Sequence, residues 1–235
     1  MGVCISGRDD DFAPIVLLTR DDSDSQLIAK EFLSDVKIVH SIRNMHGLSG
    51  TYGGYPVSIQ GLGIGGVSAS IYVEELAREF APKYFIKLDG CIALRKEVGL
   101  SDFVFAQTAH TTSKINRYRY GGKVFPAAAH FPLLNAYYEQ ALQKRIRPHV
   151  GAVVSIDTRA EMPLAFEFAK RGALSLDLEM SQVLTVASLY GISAVGILRA
   201  FKHAVTGEAL TENDMQTQYL ELVHFVLEGL HLLPK

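Results

Sequence analysis

The sequence predicts one α/β domain built on a largely parallel or mixed β-sheet covered by helices. Three observations lead there. Short β-type apolar runs alternate with helical patterns along the whole chain. The 235 residues are 48% hydrophobic, enough to bury one large core. No Pro-, Gly- or Ser-rich stretch and no shift in composition marks a linker, so residues 1–235 read as a single domain.

The elements follow in order. Residues 15–18, Ile-Val-Leu-Leu after Pro14, form a short buried strand, and 25–32 a helix. Residues 36–42 and 55–60 read as strands, with Gly53-Gly54 as the turn between pairing segments. Residues 67–80 are helical, with Ile71, Leu76 and Phe80 near one face and Glu74, Glu75, Arg78 and Glu79 on the other. Strands are expected at 84–88 and 103–107, a helix at 133–143 and a strand at 151–155. Pro163 suits the first turn of a short helix over 163–170. A strand at 173–176 leads into a helix at 179–190 that is apolar on most sides, and 193–198 is the last core strand. From Asn213 onward, Met215, Tyr219, Leu222, Val226 and Leu230 make the apolar stripe of a long closing helix.

Charge excludes several classes of partner. The 23 Lys and Arg nearly balance 25 Asp and Glu, and no basic cluster offers a nucleic-acid footprint or a polybasic membrane patch. No apolar run is long enough for a signal peptide or a membrane span. Cys4 and Cys91 stand far apart in no metal-ligand spacing, which suits a reducing cytoplasm and predicts no metal site.

Gly61-Leu62-Gly63-Ile64-Gly65-Gly66 satisfies G-x-G-x-x-G between a strand and a helix. Asp89 is expected at the end of the following strand, where a dinucleotide enzyme holds a ribose. A dinucleotide oxidoreductase is therefore one possible reading. Against it, at least two strand-like segments precede the run, whereas the fingerprint belongs to the first strand of its fold.

A second reading takes in the whole chain. The segment Arg43-Asn44-Met45-His46-Gly47-Leu48-Ser49-Gly50-Thr51-Tyr52-Gly53-Gly54 resembles the Arg-Gly-Met-Leu-Gly-Phe-Thr-Gly-Thr-Tyr-Lys-Gly stretch of hexameric bacterial purine nucleoside phosphorylases. Gly61-x-Gly63-Ile64-Gly65, Ser68-x-Ser70-Ile71-Tyr72, Ser113-Lys114-Ile115-Asn116-Arg117, Ser155-Ile156-Asp157 and Leu178-Glu179-Met180 follow in the same order at similar spacing. The resemblance implies a three-layer fold with a central mixed sheet, and a hexamer built from dimers. It implies a pentosyltransferase reaction on a purine nucleoside, with phosphate as co-substrate and no other cofactor.

Set on that family pattern, the site residues divide into three groups. Arg20, Arg43, Lys87 and Gly90 fall at phosphate-binding positions; Arg43 is retained, while Arg20 replaces a glycine, Lys87 an arginine and Gly90 a serine. Asp24 replaces a second phosphate arginine, and Asp89 a glycine. Ile64, Arg159, Glu179, Met180 and Ser181 fall at nucleoside-binding positions, Arg159 in place of an aromatic wall and Ser181 in place of the ribose carboxylate. Where the family carries Ser-Asp-His, with Asp protonating the base, this chain reads Phe201-Lys202-His203. Lys202 is then the candidate catalytic group, with Arg199 as a neighbouring cation able to lower its pKa, or else a solvated loop lysine or part of an ion pair. Lys87 and Arg20 could bind an anionic ligand such as a nucleotide or sugar phosphate, or pair internally with Asp89 and Asp24. The first arrangement is a remodelled N-glycosidase or transferase site; the second is a pseudoenzyme kept for structure or for a partner.

Overall fold

A computed structural model describes residues 2–234. In chain order the strands are β1 (Ile15–Thr19), β2 (Ser34–His40), β3 (Gly47–Tyr52), β4 (Tyr55–Gly61), β5 (Tyr84–Ala93), β6 (Phe103–Thr111), β7 (Ala127–Ala128), β8 (His149–Ser155), β9 (Ser175–Asp177) and β10 (Ser193–His203). The helices are α1 (Asp22–Phe32), α2 (Gly66–Glu79), α3 (Ile115–Arg119), α4 (Phe131–Gln143), α5 (Met162–Ala169), α6 (Met180–Leu189) and α7 (Glu212–Glu228).

All the strands join one mixed sheet in the order β10-β6-β8-β9-β5-β1-β4-β3-β2, with β7 beside β6. Strand β5 also pairs with β10, which closes β5, β10, β6, β8 and β9 into a ring and leaves β1, β4, β3 and β2 as an open wing. The long β5 makes this possible. Its first part lies between β1 and β10, and its last two residues, Ile92 and Ala93, bridge β10 to β9.

Period-two alternation sorts the core into two faces. Val16 and Leu18 of β1 join Phe85 and Ala194 under α2 and α6, while Ile15 and Leu17 join Ile86, Val195 and Ile197 under α1, α4 and α7. Helix α6 is buried from Met180 through Ala187, because it lies between α2 and the sheet ring. Helix α5 covers a third cluster with Val154, Ile156 and Leu176. Thr211 starts α7, its hydroxyl accepting the Asp214 N–H at 3.2 Å. Among the described residues, no helix is long and apolar enough to cross a membrane.

Several expectations need correcting. Helix α1 begins at Asp22, before the expected 25. The turn at Gly53-Gly54 joins β4 to β3, an additional strand between the two expected partners. Two glycines in Gly47–Tyr52 hide that strand's alternation, yet Tyr52 pairs directly with Tyr55 across a two-residue turn with φ of 55° and 85°. Strand β5 continues five residues past Leu88, so Asp89 and Gly90 lie within the strand instead of beyond its end. Strand β10 likewise runs on to His203, so Lys202 is a strand residue and not a loop lysine.

The last extension contains a bulge. Ala200 pairs with Cys91 and Lys202 with Ile92, which leaves Phe201 as the extra residue. Its ring lies over Gly90, where any Cβ would run into it. A large residue at 201 therefore requires a small one at 90. Gly90→Ser is expected to destabilise the fold by about 1–3 kcal/mol through overpacking. Combined with Phe201→Ser it should cost less than the sum of the two single changes, as urea denaturation of the four proteins would reveal.

Candidate functional site

At the carboxyl ends of β1, β4 and β9, above the middle of β5, five charged side chains meet. Lys87 is completely buried, and its Nζ lies 2.8 Å from Asp89, 3.3 Å from Asp177 and 3.4 Å from Glu179. Arg20 enters from the end of β1 to reach Asp89 at 2.9 Å, Glu179 at 3.2 Å and Asp177 at 3.9 Å. The backbone dictates this meeting. Alternation turns Lys87 and Asp89 toward the α2/α6 face, and the parallel pairing of Leu18 with Lys87 brings Arg20 alongside. Asp177 ends β9, and Glu179 stands one residue before α6 as its N-cap, not within the helix.

Electrostatics hold the group together. Burial alone would raise the Asp177 carboxyl, but Lys87, Arg20 and the N–H groups of Met180 and Glu179 overcome it and keep Asp177 below the usual range. Those two N–H groups open α6, where negative charge is favoured. Glu179 is raised instead, by burial and then by repulsion from Asp177 and Asp89, which outweigh its two cations. Lys87 and Arg20 lose some basicity to burial but gain more from the carboxylates, so both are held more firmly charged. Asp24 faces the group from α1 and, among the described residues, makes no ion pair. Burial, Asp89 and Asp21 push its carboxyl from 3.8 up to about 7.

The three carboxylates place oxygens within 4.8 Å of one another, a spacing that could hold a metal ion. Lys87 contacts all three and supplies the positive charge there. The glycine turn is committed too. Gly63 and Gly65 take φ of 69° and 88°, and the Gly65 N–H donates to Glu179 at 2.8 Å. In a dinucleotide site that N–H would face the pyrophosphate, and Asp89 would be open to a ribose. Here Glu179 occupies the first and Lys87 and Arg20 the second, so the dinucleotide arrangement is not formed.

The remaining candidate residues lie around this hub. Met180 and Ser181 are buried; Met180 packs on Gly196 of β10, and the Ser181 N–H donates to Ser155 Oγ at 3.1 Å. Gly90 lies under Phe201. Ile64, Arg159 and Lys202 are exposed, after β4, after β8 and on β10 respectively. Arg199 points to the opposite face, bonded to the Ser101 and Gln218 carbonyls and to Glu221, and stacked 4.7 Å from the Phe103 ring centroid. It is thus not the neighbour of Lys202 that its sequence position suggests. His203 is buried, its Nδ1 accepting the N–H groups of Val205 and Thr206. Arg43 is exposed on a one-turn 3-10 segment, Ile42–Asn44, where Arg43 and Asn44 have φ of 57° and 61°. His46 Nδ1, 2.9 Å from Asp22, ties that segment to α1.

Asp177 is the member that sequence reasoning missed. Its signal was a carboxylate closing the strand Ser-Leu-Asp just before Glu179. The chain is also similar to known families and proteins. The model of the Phosphorylase superfamily matches residues 14–224. This chain belongs to the phosphorylase superfamily. Among its relatives, a purine nucleoside phosphorylase DeoD-type of Bacillus cytotoxicus is 36% identical over 231 residues, covering 97% of this chain and 98% of the relative. A protein of the same name from Bacillus cereus (strain ZK / E33L) is 35% identical over the same shares.

Within the superfamily chain, the buried ion pairs set the stability of the site. Lys87→Ala should destabilise the fold by about 3–5 kcal/mol, because three carboxylates lose their buried partner; chemical denaturation checks this. Asp24 gives a pH signature. Its folded carboxyl, at about 7, binds its proton more tightly than the unfolded one, so stability falls as pH rises from about 4 to 7. Asp24→Asn should flatten that slope and add about 1–2 kcal/mol at pH 8, seen as a higher Tm across a pH series.

Proposed function

We propose that this superfamily member binds a neutral nucleoside-like ligand and does not use orthophosphate as a co-substrate. The observation that carries the proposal is the pairing of Arg20 and Lys87 with Asp89, Asp177 and Glu179. Orthophosphate needs cations with charge to spare, because desolvating an unpaired anion is costly. Two cations facing three carboxylates have none to spare. If Glu179 takes up a proton, as its raised pKa favours, the group becomes neutral and still not positive. Admitting phosphate would strip buried carboxylates of their partners, at about 3–5 kcal/mol.

In this proposal the ligand lies on the exposed rim. A purine ring packs against Ile64 and the flat guanidinium of Arg159, and the Lys202 ammonium is a hydrogen-bond donor to the base. In this proposal the assembly is a cytoplasmic homo-oligomer, a hexamer built from dimers on the family pattern. The exposed Arg43 segment, anchored at its base by His46 and Asp22, supports a reach toward a neighbouring subunit. The alternative of a family member kept for structure or for a partner rests on the same ion pairs, and differs in binding no nucleoside.

Base release from a panel of purine nucleosides, with and without orthophosphate, tests the proposal. No phosphate-stimulated release is expected, while nucleosides should raise the Tm and Arg159→Ala should reduce that rise. Phosphate-dependent release abolished in Lys202→Ala would overturn it, and the absence of any nucleoside stabilisation would favour the structural role. In the double variant Arg20→Gly/Asp89→Gly, Lys87 loses a competing cation and a carboxylate, and calorimetry should detect stronger orthophosphate binding than in the parent.

A further inference from the structure

The carboxyl end of β6 opens into a cavity of about 210 Å³ whose chemistry is the reverse of the Lys87 hub. Lys114, Arg117 and Lys123 line it, and no lining residue is acidic. Among the described residues, none of these three side chains makes a hydrogen bond or an ion pair. A concave site lined by one sign of charge concentrates ligands of the other sign.

The loop that carries these cations is pinned in place by its other residues. Asn116 donates to Thr185 Oγ1 of α6 at 3.1 Å, and Arg119 to Gln182 Oε1 at 3.1 Å, with Glu74 of α2 at 3.4 Å. The Gly122 N–H closes on the Arg117 carbonyl at 2.7 Å. With this backbone held against α6 and α2, the free cations stand at the cavity.

The β6 end adds neutral donors. Thr111 Oγ1 accepts the Ser113 N–H at 3.0 Å, and Ser113 Oγ accepts the Ile115 N–H at 3.3 Å, which leaves both hydroxyl protons available. Thr112 directs its own proton to Glu161 at 2.9 Å. The same carboxylate oxygen also accepts the Asp157 and Thr158 N–H groups, and Glu161 does not line the cavity. What remains is a set of donors matched to a group made of acceptors, and phosphate oxygens are such a group.

Apolar surface completes the site. Phe125 is 51% exposed and its ring centroid lies 4.4 Å from that of Tyr120, while Val124 beside it is 78% exposed. Ligand pockets run to about 300–1,000 Å³, so this smaller cavity suits the charged end of a ligand whose flat part rests on the Phe125 rim. We propose that the cavity at residues 111–125 binds the phosphate of a nucleotide, with the base against Phe125. It is separate from the Lys87 hub: Thr111 pairs with Ser155 and Ser155 with Asp177, two strand spacings or about 10 Å away. The inference does not depend on a nucleoside lying on the exposed rim.

Calorimetric titration of the whole protein with AMP, adenosine and orthophosphate at low salt tests it, alongside hydrogen–deuterium exchange. AMP is expected to bind more tightly than either of its parts, to weaken as salt rises, and to protect residues 111–125. Lys114→Gln/Arg117→Gln/Lys123→Gln, all exposed positions, should weaken AMP at least tenfold, and Phe125→Ala about threefold. Lys170→Gln, an exposed charge elsewhere, serves as the control. The proposal fails if the triple variant binds AMP like the parent, if orthophosphate binds as well as AMP, or if AMP protects 61–66 and 199–206 instead. It fails equally if the triple variant changes sedimentation but not AMP affinity, since the cations would then serve contact between copies.

Discussion

An ammonium cut off from water has to be enclosed by counter-charges, and Lys87 meets three of them from three places in the fold: β5 itself, the end of β9 and the start of α6. Each carboxylate in turn serves a second structural purpose. Asp177 caps the opening of α6, Glu179 holds the Gly65 N–H at the opening of α2, and Asp89 receives Arg20 from the end of β1. Removing any one member would leave others charged and dry, so the group sets the relative positions of two helices and three strands.

The site rests on two complementary pairs. Arg20 and Asp89 lie 2.9 Å apart as an ion pair. The Phe201 ring fills the space over Gly90 that a side chain there would need. One pair matches charge to charge, the other bulk to empty space. Both consume room and donors that an anion would use.

Two charged environments therefore share one end of the sheet with opposite characters. The hub is buried, close to neutral and ion-paired within itself. The cavity beyond β6 is open, cationic and unsatisfied. Salt would screen the second far more than the first, because a Debye length of about 8–10 Å acts on exposed charges and little on buried ones. In the proposed nucleotide site, anion recognition follows from where cations lack partners, not from how many cations there are.

The sequence by itself determined the alternation of strands and helices, the family, and most elements to within a few residues, because burial imposes periods of 2 and 3.6 on apolar side chains. It missed β3, whose glycines carry no pattern, and it ended β5 and β10 early where apolar runs give way to Asp89, Gly90 and Lys202. It brought forward Arg20, Lys87, Asp89 and Glu179 as site residues but left two partnerships open for the cations. Only the tertiary structure decided between them, since register across β1, β5 and β9 sets which charges lie within 4 Å. It also added Asp177, sent Arg199 to the opposite face, and showed that Lys114, Arg117 and Lys123 gather around one cavity without a carboxylate. Pairing energy depends on distance and on exclusion of water, and a linear sequence records neither.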